Sequence, residues 1–119
     1  MNELKLGEVE ARFADIIWDN APISSGRLVF LCAEKLSWKK STTYTVLKKL
    51  CDRGFFRNEN GEVCTVITRE EYFSRRSESF VDESFSGSLP AFIAAFTSRR
   101  SLSPEDVQAI RRMIDGEEK

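Results

Sequence analysis

The sequence predicts a mostly α-helical protein with one small β-hairpin, and three observations predict it. Apolar residues recur at three- and four-residue steps through three successive N-terminal segments. A single Asn-Gly pair flanked by β-prone runs follows them. The second half then returns to helical spacing and shows no comparable strand pattern.

In the first segment Leu6, Val9, Phe13, Ile16 and Ile17 form the expected buried stripe of a helix ending near Asn20, and Pro22 bars its direct continuation. Ser24 or Ser25 is suited to accept the free N–H groups of a second helix, whose Leu28, Leu31 and Cys32 face inward and which ends near Leu36. After a connector around Ser37 to Lys40, Ser41 is expected to cap a third helix. There Thr43, Val46, Leu47 and Leu50 face the core and Gly54 closes the C-terminus. Phe55 to Arg57 and Val63 to Thr68 are the β-prone runs, joined at Asn60-Gly61, a pair that accepts the positive φ angles of a tight hairpin turn.

Further on, a polar loop around Ser84 to Ser88 separates a helix carrying Tyr72, Phe73 and Phe80 from one carrying Leu89, Phe92, Ile93 and Phe96. Ser103-Pro104-Glu105-Asp106 supplies an N-cap, a proline at the first helical position and acids in the first turn, with Leu102 and Val107 at hydrophobic-staple spacing. Val107, Ile110, Met113 and Ile114 make the stripe of this last helix, which Gly116 and the segment Glu117 to Lys119 end. Phe80, Leu89, Phe92, Ile93, Phe96, Val107, Ile110, Met113 and Ile114 are more apolar surface than three short helices readily hide. They are the expected homodimer interface.

Composition narrows the chemistry. A chain of 119 residues is one domain plus a small appendage, and the absence of histidine removes the usual general base near neutral pH. Cys32, Cys51 and Cys64 are widely spaced with no CxxC pair, so reduced structural thiols are expected and no zinc site, cofactor or enzymatic activity. No apolar run approaches the roughly 20 residues that cross a bilayer, and Met1 to Lys5 leads into no signal-peptide stretch, so a cytoplasmic protein without membrane insertion is expected. The net charge of −1 conceals a basic segment: Lys35, Lys39, Lys40, Lys48, Lys49, Arg53 and Arg57 face Asp52 alone, a net of +6 over residues 35–57.

Three helices, then a hairpin, with positive charge gathered on the third helix, is the order of a winged helix-turn-helix, expected over residues 1–68, with a helical dimerisation segment over 69–119. Thr42, Thr45 and Lys49 recur at i, i+3 and i+7, opposite Val46, Leu47 and Leu50, and Lys48 adjoins them. Short hydroxyl side chains can approach base edges or phosphates, and lysines displace counterions. The candidate DNA-binding residues are therefore Lys39, Lys40, Ser41, Thr42, Thr45, Lys48 and Lys49, with Arg57 and Asn58 on the wing. Two other readings compete: an ordinary solvated helix face, and a winged-helix module whose basic helix meets an acidic protein surface without DNA. Trp18 and Trp38 read as core packing rather than as base-stacking aromatics.

The runs Leu6-Gly7-Glu8 through Ile16-Ile17-Trp18, Ser41-Thr42-Thr43-Tyr44-Thr45-Val46-Leu47-Lys48-Lys49-Leu50 into Gly54-Phe55-Phe56, and Leu102-Ser103-Pro104-Glu105-Asp106-Val107 resemble the penicillinase repressor family (BlaI/MecI type, with a copper-responsive CopY branch). The resemblance covers about Leu6 to Asp115. It implies a homodimeric repressor on a palindromic double-stranded DNA operator, with Thr42, Thr45 and Lys49 at recognition-helix positions and the last helices forming the dimer interface. Lys49 stands where the family commonly has arginine, which keeps the charge but loses the planar bidentate fork. In antibiotic-responsive members a membrane sensor-protease system leads to cleavage at an Asn–Phe bond. Ala95-Phe96 aligns there as the candidate regulatory cleavage site, with alanine in the place of asparagine. The cysteine-rich tail of the copper branch has no counterpart, so copper is not the expected effector.

Overall fold

The computed structural model describes residues 4–116. The elements are α1 (Glu8–Asn20), β1 (Ile23–Ser24), α2 (Ser25–Leu36), α3 (Lys40–Asp52), β2 (Phe56–Glu59), β3 (Glu62–Thr65), α4 (Arg69–Phe85), α5 (Leu89–Thr97) and α6 (Pro104–Ile114). The mostly helical chain with a small hairpin is thus as the sequence predicts. Two compact units divide it, Met1–Ser79 and Phe80–Lys119, so the boundary falls inside α4.

The first unit holds a core in which Phe13, Ile17, Leu28, Cys32, Leu47, Leu50, Phe55 and Val63 are fully enclosed. The α1 stripe holds at Leu6, Phe13, Ile16 and Ile17, but Val9 is exposed, lying in the first turn at the edge of the core. The Ser24 hydroxyl caps α2 by accepting from Arg27 N at 3.0 Å. Left-handed Ser37, at φ 58°, ends α2. Ser41 does not cap α3. Extended Lys39 already occupies the N-cap position, the turn from α2 being complete by then, and Ser41 falls within the first helical turn.

The hairpin turns where the sequence places it, with Asn60 at φ 55° and Gly61 at φ 79°. Its register pairs Phe56 with Thr65, Arg57 with Cys64, Asn58 with Val63 and Glu59 with Glu62. The sequence gives no sign of β1, which adds a third strand in the order β1-β3-β2 through Ile23↔Val63 and Ser24↔Glu62. Phe55 stands before the strand rather than in it. Its amide donates to the Leu50 carbonyl and its own carbonyl accepts from Val66 N and Ile67 N at 2.9 and 3.0 Å, fixing a buried ring where α3 becomes the wing. The second run leaves the sheet at Thr65 instead of Thr68 because those two amides turn back to Phe55.

Both tryptophans pack. Trp38 stacks on Phe13 at 5.3 Å, while Trp18 lies against Phe56 and Tyr72 and donates its indole N–H to the Ile67 carbonyl at 2.9 Å. The start of α4 is tied to α1 by Arg69, whose guanidinium reaches Asp15 and Asp19 at 3.1 and 2.7 Å and covers the Trp18 ring.

In the second unit Ser88 caps α5 by accepting from Ala91 N, and Ser103 caps α6 by accepting from Asp106 N. The Phe92 ring meets Phe80, Phe85 and Phe96 at centroid distances of 6.0, 5.6 and 6.4 Å. No residue of 80–116 is buried. The segment Glu117 to Lys119, expected to finish the last helix, lies outside the described residues; α6 ends at Ile114, with Gly116 at φ 78°. Among the described residues no helix is long and apolar enough to cross a membrane.

Candidate nucleic-acid interface

The 3.6-residue period divides α3 into two faces. Thr43, Leu47 and Leu50 are buried, so Ser41, Thr42, Thr45, Lys48 and Lys49 are turned to solvent, with Lys39 and Lys40 exposed at the entry to the helix. One short turn after α2, this is a helix whose hydroxyl-bearing side is exposed at Ser41, Thr42 and Thr45. Such a cylinder fits the major groove, and small hydroxyl groups flanked by ammonium groups suit both base edges and phosphates.

Hydrogen bonds join α3 to the start of α2, and the start of α2 to the wing turn. The Tyr44 hydroxyl donates to Ser25 Oγ at 3.0 Å, and Ser25 N donates to the Gly61 carbonyl at 2.8 Å. The turn therefore has a fixed place relative to the helix instead of swinging freely. Alternation along β2 separates the two wing candidates. Asn58 shares the face of Phe56 and Val63 and, with Tyr44, Leu47, Lys48 and Cys51, lines a depression beside α3. Arg57 pairs with Cys64 on the opposite face and reaches Glu59 at 3.3 Å. Asn58 is thus brought to the helix and Arg57 is not. Burial pushes the Cys51 thiol up from its ordinary value, and the adjacent Asp52 adds to the effect.

The cations differ in what holds them. Lys48 reaches Asp52 one turn on at 3.1 Å, with both side chains well exposed. Lys49 crosses to α1 and meets Glu10 at 2.6 Å, where only the carboxylate is sheltered. Among the described residues Lys39 and Lys40 have no ion pair. Arg27, outside the 35–57 charge cluster, is a further cation beside this surface: it is exposed in the first turn of α2, two residues from the Ser25 contact to the wing turn, with its guanidinium 5.0 Å from the Phe30 ring. The Ser24 cap, which accepts from the Arg27 amide, fixes where that turn begins.

Of the remaining candidates, Phe80, Leu89, Phe96, Met113 and Ile114 are exposed and Phe92, Ile93, Val107 and Ile110 half-buried. Ala95 and Phe96 are exposed within the helical backbone of α5. No group of three His, Cys, Asp or Glu side chains among the described residues could hold a metal ion.

The sequence model of the family described as penicillinase repressor matches residues 6–116. The chain is also similar to a penicillinase repressor of Bacillus licheniformis, with 20% identity over 115 residues that cover 93% of this chain and 90% of that one.

Proposed function

Because this chain belongs to the penicillinase repressor family, whose members are DNA-binding transcriptional repressors, we propose that it acts as a homodimer on a two-fold-symmetric operator. The exposed hydroxyl-and-lysine face of α3 carries this reading. Ser41, Thr42 and Thr45 meet bases or nearby phosphates, Lys39, Lys40 and Lys48 neutralise phosphates, and Asn58 approaches from the wing. Arg57 reaches DNA only by exchanging Glu59 for a phosphate. Residues 1–68 read the duplex and 69–119 pair the chains.

Dimerisation is supported by the second unit, whose described residues bury no side chain although they include a four-phenylalanine cluster. A second copy of Phe80, Leu89, Phe92, Phe96 and the α6 stripe would cover this surface. Two linked recognition helices then make the second half-site contact effectively intramolecular. The protein works in the cytoplasm, and a membrane sensor-protease system is the partner that the family implies, while the alanine at position 95, in the place of asparagine, leaves the inducing signal open. Cutting at Ala95-Phe96 first requires α5 to unwind, because a protease binds its substrate as an extended strand.

Electrophoretic mobility shift across a salt series, on duplex from the region upstream of the protein's own gene, tests the reading. A retarded complex weakening steeply with salt is expected, and no complex at any salt concentration would overturn it.

A further inference from the structure

The lysines on the recognition helix are not equivalent. The Lys48–Asp52 pair has side chains 77% and 66% exposed, so water already competes for it and a phosphate can displace the carboxylate easily. The Lys49–Glu10 pair differs on the acidic side, where the carboxylate is only 19% exposed. Glu10 is also held in place. Its Oε1 accepts from the Gly7 amide at 3.0 Å and lies 3.4 Å from Arg53 Nη1, while Oε2 faces Lys49. Arg53 is itself anchored by donating to the Lys5 carbonyl at 2.8 Å. The carboxylate therefore meets the lysine without losing conformational freedom, and a phosphate approaching Lys49 meets a fixed negative charge beside it.

Resting on the DNA-binding reading above, we propose that Glu10 is a built-in counter-anion of the recognition helix, holding the Lys49 ammonium on α1 and out of the phosphate contacts. Lys49 then positions α3 against α1, and the counterions released on binding are those displaced by Lys39, Lys40 and Lys48. The arrangement also serves selectivity. Lys49 shares the face of Thr42 and Thr45, and a free ammonium there would strengthen binding to every sequence alike.

The test is fluorescence anisotropy across a salt series with two duplexes, the region upstream of the gene and a shuffled version of it. Lys48→Ala should lower the slope of log affinity against log salt by about one per bound chain. Lys49→Ala should leave the slope unchanged, and Lys49→Arg, which keeps the pairing, should behave as wild type. Glu10→Gln should steepen the slope by about one per chain and raise affinity for the shuffled duplex near 0.1 M salt roughly tenfold per bound chain, about a hundredfold for a dimer. Adding Lys49→Ala to Glu10→Gln should abolish both gains. A Lys49→Ala slope reduced as far as that of Lys48→Ala overturns the proposal, as does a folded Glu10→Gln protein with an unchanged slope. If Glu10→Gln does not fold by circular dichroism, the Lys49→Ala slope alone decides. Wild-type protein binding neither duplex would instead refute the DNA-binding reading itself.

Discussion

Placing a charge at Ile114 separates pairing from folding more cleanly than a change at any ring of the aromatic cluster. Ile114 is 78% exposed in the single chain, so Ile114→Asp removes little from the protomer's own packing. Fully burying an isoleucine contributes about 1.5–3 kcal/mol. With 78% of the side chain still to be covered, pairing gains about 1–2.5 kcal/mol from each copy. Two-fold symmetry counts the residue twice, so the aspartate variant should weaken the dimer by at least about 2–5 kcal/mol, roughly 30-fold to several thousand-fold in dissociation constant. Desolvating the carboxylate adds to that. Sedimentation velocity over a concentration series reads the constant directly, and an unchanged thermal unfolding curve at concentrations where both proteins are monomeric shows that the protomer is intact. A dimer constant within a few-fold of wild type would refute the reasoning and remove Ile114 from the interface.

Further consequences concern the first unit. The Thr43 hydroxyl is buried without a satisfying hydrogen bond, with the Cys32 thiol as a polar neighbour, so Thr43→Val should raise stability by about 1 kcal/mol in urea unfolding. Glu10 is held below its ordinary value of 4.5, first by the hydrogen bond from Lys49 and then by that from the Gly7 amide. A carboxyl lowered on folding stabilises the protein above its unfolded value and loses that contribution as pH falls through the folded one. Glu10→Gln should therefore be less stable than wild type at pH 7, with the difference shrinking below about pH 4.5, as thermal unfolding at the two pH values would reveal. A constant difference would contradict the assignment. Ser103→Ala removes the α6 cap and should cost about 0.5–2 kcal/mol of helix stability, seen as early loss of helical circular dichroism.

Local signals explain what the sequence could reveal. The α1, α2 and α3 stripes, the Asn60-Gly61 turn and the Ser103-Pro104 helix start depend on residues only a few positions apart, and each lies where its chemistry requires, except that Val9 of the α1 stripe is exposed. Period-two alternation also separates Arg57 from Asn58, a distinction legible in the sequence once the strand is fixed. What escaped was non-local. The strand β1 is two residues long and exists because Ile23 and Ser24 meet Val63 and Glu62, too short a run for any periodicity to register. The start of α3 was displaced from Ser41 by the short turn that brings Lys39 to the cap position. The Lys49–Glu10 pair joins two helices distant in the chain, so counting charges along residues 35–57 does not reveal that one of those cations meets a carboxylate of α1.

Hydroxyl-radical footprinting of the duplex upstream of the gene tests the central claim most directly. Two α3 helices carried by one dimer should protect two segments related by a two-fold axis, centred about 34–36 Å or a multiple of that apart. Thr42→Ala and Thr45→Ala should weaken both segments together, while Ile114→Asp should lose both at concentrations where wild type protects them. A single asymmetric protected segment, or protection unaffected by changes to the α3 face, would contradict it.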